Sequence, residues 1–254
     1  IGRVSVNGVL ELASSYDTVG PLTKTVEDTR ILFSILTNAP YIKFKKLNFK
    51  NIKLIYVQGM PINGCDTEVL KNIDMSINKL SSAGITIIEK KVKEIEEMHK
   101  LLMEHNGGTT ISEAYNKWIK VVENYSSSLD KNVLDRMLKG KEINKKSLSA
   151  IYKAEEVYSI KLANNMENYD AIIMPTIPIL PPAIDKVKNN KKTYSHYNAL
   201  ALRNTRIANS LKMCAITLPC PTSKYPIGLM ICMSKNKDES LINLSENIFN
   251  LLRE

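Results

Sequence analysis

The serines, histidines, cysteines and paired carboxylates of this sequence are of types that do chemistry, and their spacing decides which of them act together. Ser126, Ser127 and Ser128, and the pair Ser81-Ser82, offer hydroxyls to a nucleophilic reaction. The first run reads as a polar linker between helices and the second as a frayed helix end before Gly84, places where serine serves turns and caps. His99, His105 and His196 are not spaced as ligands on one helical turn, and no Asp/Glu pattern joins them into a metal site. Cys65, Cys214, Cys220 and Cys232 have no Cys-x-x-Cys spacing and lie in or beside apolar runs, as reduced, packed thiols do. Glu96-Glu97 and Glu155-Glu156 are neighbours on helices, so each pair points to two faces and reads as solvated charge, not as an acid–base pair.

Three polar positions carry more. Asp17 sits in a corner bounded by Ser14, Ser15 and Gly20-Pro21, where it can make an Asx-type turn or brace the entry to the following helix. Arg203 and Arg206 are three apart on a predicted helix and share a face, offering planar donor forks to a substrate carboxylate or carbonyl, or a structural ion pair.

The elements that must position these residues follow from periodicity. Residues 2–21 read as a short extended piece, a turn at Asn7-Gly8, a second apolar piece, and a polar corner closed by Gly20-Pro21. Thr25, with Asp28 three residues on, caps a helix whose apolar face is Ile31, Leu32, Ile35 and Leu36, and Asn38-Ala39-Pro40 stops it. A strand over 51–57, a helix capped by Asp66 with Val69, Leu70, Ile73, Ile77 and Leu80 as its stripe, a C′ glycine at Gly84 and a strand over 85–89 form a strand-helix-strand unit, which requires parallel pairing.

From 94 to 169 the pattern is mostly helical, an insertion-like region broken at Gly107-Gly108 and at 125–128, with a long helix over 145–166. The run 171–174 is short and wholly apolar, a strand buried on both faces, and Pro175, Pro178, Pro181 and Pro182 force an extended loop after it. A solvated basic loop over 186–192, a helix over 197–211, strands over 214–218 and 226–232, and an amphipathic helix over 238–252 complete the chain. No internal repeat or low-complexity segment is evident. The expected fold class is α/β, a mixed sheet flanked by helices on both faces.

The chain has 254 residues, enough for a sizeable core, and a formal charge of +9. That charge is almost all lysine, scattered over predicted helices, and only Arg3, Arg30, Arg136, Arg203, Arg206 and Arg253 are arginines. Without a block of basic residues interleaved with aromatics it reads as solvated surface, with transfer RNA a possible but not favoured partner. No apolar run approaches bilayer length and no charged-then-apolar leader opens the sequence, so no membrane contact is expected and the default location is the cytoplasm.

The run Gly2-Arg3-Val4-Ser5, then Gly8-Val9-Leu10, Ala13-Ser14-Ser15, Asp17-x-x-Gly20-Pro21 and the helix start Thr25-Val26-Glu27-Asp28 resembles the amidase-signature hydrolases. Arg136, Gly140, Tyr152 and the strand ending Pro175-Thr176 match farther along, as do Asn204, Thr205, Asn209, Pro219, Pro226, Gly228 and Leu229. Met230 stands where the family usually has Gln, and the loop over 221–225 lacks the usual glycine. The resemblance covers nearly the whole chain, most loosely over 94–129.

It implies amide-bond cleavage by acyl transfer with no cofactor or metal. The chemistry of that family comes from a Ser-Ser-Lys triad, with the Lys and a Gly/Ser-rich segment preceding the matched region in chain order. The sequence is thus expected to be the C-terminal portion of such a domain, incomplete on its N-terminal side and without a catalytic residue of its own. It would need the missing N-terminal segment or a partner subunit to act on a small amide substrate. The resemblance further implies that Asp17 positions the catalytic loop and that the Pro-rich loop lies near the pocket mouth. A portion of an aminoacyl-tRNA amidotransferase A subunit, or a non-catalytic binding remnant, is the alternative.

Overall fold

The computed structural model describes residues 1–188, 190–221 and 224–254. Five strands, β1 (Lys53–Gln58), β2 (Thr86–Lys91), β3 (Ala171–Pro175), β4 (Cys214–Pro219) and β5 (Gly228–Met233), form one sheet in the order β2-β1-β3-β5-β4. β1 runs parallel to both β2 and β3, and β5 runs antiparallel to both β3 and β4, so the sheet is mixed. The parallel pair β1/β2 is crossed by α2 (Thr67–Ser82), whose end is a Schellman motif. In it the N–H of Gly84 donates to Ser81 and that of Ile85 to Leu80, and Gly84 takes the left-handed φ of 102° that a side chain would resist.

Alternation along the central strands feeds two cores. Leu54, Tyr56, Ala171, Ile173, Leu229 and Ile231 face α1 (Val26–Thr37), α2 and α9 (Asp238–Arg253). Ile55, Val57, Ile172, Met174, Met230 and Cys232 face α3 (Lys93–Glu104), α6 (Lys145–Asn165) and α8 (Lys191–Ser210). Helices therefore cover both faces, and β3, enclosed by both layers, is buried throughout. From the helical region, α3 and α6 supply part of the second layer, while α4 (Thr109–Asn124) and α5 (Lys131–Leu138) pack against each other and α4 against α6. No helix among the described residues is long and apolar enough to cross a membrane.

Four local expectations are corrected. Residues 1–24 contain no strand; the turn at Asn7-Gly8 forms, but Val6, Val9 and Leu10 are exposed and pair with no strand of the sheet. α1 has the expected cap, Thr25 accepting from the Asp28 N–H, yet it buries Val26, Arg30 and Phe33 and turns Ile31, Leu32 and Ile35 outward. Arg30 belongs to the buried side because its guanidinium bonds the Ile42 carbonyl at 3.0 Å, pairs with Glu246 at 3.1 Å and lies over the Tyr41 ring. Asp66 stands at the N-cap of α2 but spends its carboxylate on the Leu180 N–H at 2.7 Å, tying the Pro-rich loop down.

The basic stretch over 186–192 is partly helical: α7 (Ile184–Lys188) runs into it and α8 starts at Lys191, six residues earlier than the apolar pattern suggests, because the Asn190 side chain caps the Thr193 N–H. Residue 189 of that stretch, and residues 222 and 223 of the loop over 221–225, lie outside the described residues.

Candidate functional site

The corner at 12–17 is built from its own polar atoms. The Ala13 carbonyl accepts from the N–H groups of Tyr16 and Asp17, both at 2.8 Å, which closes a tight turn. The Asp17 carboxylate reaches back to accept the N–H of Leu12 at 2.9 Å and of Ala13 at 3.1 Å. Asp17 is thus a backward brace on its own loop, not the forward-reaching Asx turn.

Two carboxylates on helices hold the corner from the protein side. Glu113 of α4 accepts from the Ser15 N–H at 3.0 Å, from the Ser14 hydroxyl at 3.4 Å and from the Tyr152 hydroxyl at 2.5 Å. Glu155 of α6 accepts from the Tyr16 hydroxyl and, at 2.8 Å, from the Thr109 hydroxyl, while the Tyr16 oxygen also lies 3.1 Å from Ser210 Oγ. Farther out, the Trp118 indole donates to the Glu11 carbonyl at 2.9 Å and Lys117 pairs with the Glu11 carboxylate.

Glu155 is 2% exposed, which overturns its reading as solvated charge. Its neighbour Glu156 on α6 is exposed and pairs with Lys212. Burial raises the Glu155 carboxyl above the ordinary range, against the lowering effect of its bonds to Tyr16 and Thr109. Burial and the Glu155 charge raise the Tyr16 hydroxyl far above its usual value, and burial with the bond to Glu113 pushes Tyr152 to about 12. A signal for Glu155 does exist in the sequence: it stands one turn after Ile151 on the stripe that continues to Leu162, the side of α6 that is buried. Glu96 is likewise engaged, accepting the Met60 N–H at 2.7 Å.

The arginines of α8 have different surroundings. Arg203 donates to the carbonyls of Asn63 at 2.7 Å and Pro61 at 3.0 Å, with Cys65 Sγ 4.0 Å away. Between the two arginines, buried Asn204 donates to the carbonyls of Pro61 and Pro175, at 3.0 and 2.8 Å, and fixes α8 over the end of β3. Arg206 is half-buried and has no hydrogen-bond or ion-pair partner among the described residues. Burial, then the nearby Arg136, pull its pKa down, and its guanidinium packs on Gly107, where a Cβ would come within 3.3 Å of Cζ. Burial, then the charges of Arg203 and Arg206, likewise lower the pKa of His99.

Gly20 stands elsewhere, on the wall of a cleft of about 470 Å³ with Thr25, Phe33, Thr217 and Leu218; neither Arg203 nor Arg206 lines it. The structure thus places Asp17 in the corner held by Glu113 and by buried Glu155, and leaves Arg203 and Arg206 outside the cleft that Gly20 lines. Among the described residues no three or more His, Cys, Asp or Glu side chains gather as metal ligands do.

A crystal structure of an amidase superposes on 99% of this chain with a TM-score of 0.83 at 20% identity, and the chain covers 56% of it, so the α/β architecture is the one found in amidases. The sequence profile of the Amidase family matches residues 1–242, and the chain belongs to that family. It is 24% identical to 2-amino-5-chloromuconic acid deaminase of Comamonas testosteroni over 98% of its length and 54% of that protein's. It is 29% identical to the A subunit of the glutamyl-tRNA(Gln) amidotransferase of Saccharolobus solfataricus, over 97% of its length and 57% of that relative's. The chain spans about half the length of the curated relatives it matches.

Proposed function

We propose that this chain is the portion of an amide-cleaving enzyme that builds the substrate side of the site, and that the nucleophile comes from the portion of the relatives it does not span. In the complete enzyme a serine oxygen attacks the amide carbon, the carbon–nitrogen bond breaks, and the departing nitrogen takes a proton through a second serine and a lysine. Water then hydrolyses the acyl ester. On this reading Asp17 shapes the signature corner beside the catalytic loop and Gly20 lines the approach. Arg206 offers its unpaired guanidinium to a substrate carboxylate or carbonyl, and Arg203 flanks it. The reading extends to a small amide as substrate and to the cytoplasm as location, in keeping with four free thiols.

The observation that carries this reading is the family match over residues 1–242 together with the docked Ala13-Ser14-Ser15 corner. The test is ammonia release from a panel of primary amides. The chain alone is expected to give none above background, and a mixture with a polypeptide equivalent to the relatives' other half is expected to give turnover. Turnover by the chain alone that is lost when Ser126, Ser127 and Ser128 become Ala overturns the assignment of the nucleophile. A second reading, part of an amidotransferase A subunit, draws on the 29% identical relative. Tight, sequence-dependent transfer-RNA binding at physiological salt would favour it.

A further inference from the structure

Glu155 is the most deeply placed carboxylate near the signature corner, and the acyl-transfer reading gives it no role. It reaches the corner through Tyr16, itself 8% exposed, and reaches α4 through Thr109, so a single oxygen, Oε1, joins three pieces of chain. We propose that Glu155 is a positioning residue for the corner: a buried carboxyl that accepts the Tyr16 and Thr109 hydroxyls and so holds Tyr16, and with it Asp17, against α4 and α6. The docking stands apart from the amide reading; its consequence for substrate binding rests on that reading.

The surroundings of the carboxyl set the direction of its response to pH. From the corner it meets the Tyr16 hydroxyl, from α4 the Thr109 hydroxyl and the charge of Glu113, and from beyond α8 the charge of Lys212. Ser210 of α8 bonds the same Tyr16 oxygen, Arg206 acts on Tyr16 by charge, and on α6 itself Tyr152 feels Glu155. Lys212 and the two hydroxyls favour the ionised form, but burial outweighs them and favours the proton. A carboxyl whose pKa is raised by docking binds more protons docked than undocked. Docking is therefore tightest below the ordinary carboxyl range and loosens as pH climbs through the raised value.

The chain reports on this docking without a label. Trp118 is its only tryptophan and its indole is bonded to the Glu11 carbonyl, next to the corner, while the Leu12 and Ala13 amides are held by Asp17. The experiment measures Trp118 emission and the hydrogen-exchange protection factors of Leu12 and Ala13 at about pH 4.5, near the ordinary carboxyl value, and at about pH 8, well above it, in the wild type, Glu155→Gln and Glu155→Ala. The wild type should show a severalfold gain in protection and a blue shift at the lower pH. Glu155→Gln, a permanently neutral acceptor, should stay docked at both pH values and lose the pH response. Glu155→Ala should be red-shifted and weakly protected at both. A pH response in Glu155→Gln equal to that of the wild type overturns the proposal, and so does wild-type protection in a folded Glu155→Ala.

Discussion

Residues differ here in how far their neighbours can yield, and that sets what a substitution costs. Gly140 follows α5 with the Ile111 carbonyl 2.1 Å from where a Cβ would sit and Tyr115 Cβ at 2.7 Å. Both are on α4, so Gly140→Ala must push two backbones apart and is expected to cost about 1–3 kcal/mol, read as a lower denaturant midpoint. Gly20 is the opposite case: nothing lies within 4 Å of its would-be Cβ and its φ is not left-handed. Gly20→Ala should melt like the wild type, so any loss of substrate binding in a reconstituted enzyme would report on the cleft alone. Asn204→Ala removes the donor to two buried carbonyls and should cost about 1–3 kcal/mol. A melting temperature unchanged by that substitution would contradict the role given to Asn204.

Elements are legible in the sequence where local chemistry sets them. The Thr25 cap, the Gly84 stop, the parallel β1/β2 pair and the buried β3 all appear as read, since a hydroxyl, a missing Cβ or an unbroken apolar run acts within a few residues. The side that faces inward is not legible in the same way. α1 presents three aliphatic side chains to solvent and buries an arginine, because Glu246, distant in sequence, and the rings of Tyr41 and Phe44 from the segment after α1 complete the Arg30 site. Glu155 stands on a legible stripe of α6, but its partners Tyr16 and Thr109 come from elsewhere in the chain. Period alone names a stripe but not its partner. For α1 the two sides make a direct test. Ile35→Lys should change stability by no more than about 0.5 kcal/mol, while Phe33→Ala should cost about 3 kcal/mol in thermal unfolding.

The whole molecule shows apolar surface that its own core does not use. Leu10 and Leu22 are exposed, with Ile31, Leu32 and Ile35 outward on α1, and β4 forms one side of the sheet with nothing paired beyond it among the described residues. On the proposal that the relatives' other half covers these positions, the chain alone should bind hydrophobic dyes and aggregate on warming. The complementary polypeptide should sharpen the unfolding transition, since burying a few hundred Å² of apolar surface is worth several kcal/mol at about 25 cal/mol per Å². A lone chain with a sharp, dye-free transition would instead favour a free-standing binding module. The lysine charge, spread over the surface, should give weak transfer-RNA binding that falls away between roughly 50 and 200 mM salt.

The outermost strand also governs what can join it. Cys220 donates to Ile227 across the β4/β5 ladder, and the alternation that follows turns the backbone groups of Ala215, Thr217 and Pro219 away from β5. Ala215 and Thr217 each present an N–H and a carbonyl, whereas Pro219 has only a carbonyl. Any strand added there can zip along two full steps and then meets a tooth with no donor. The proline works as an end stop, so it sets the phase in which an incoming chain seats as well as the place where it must turn away.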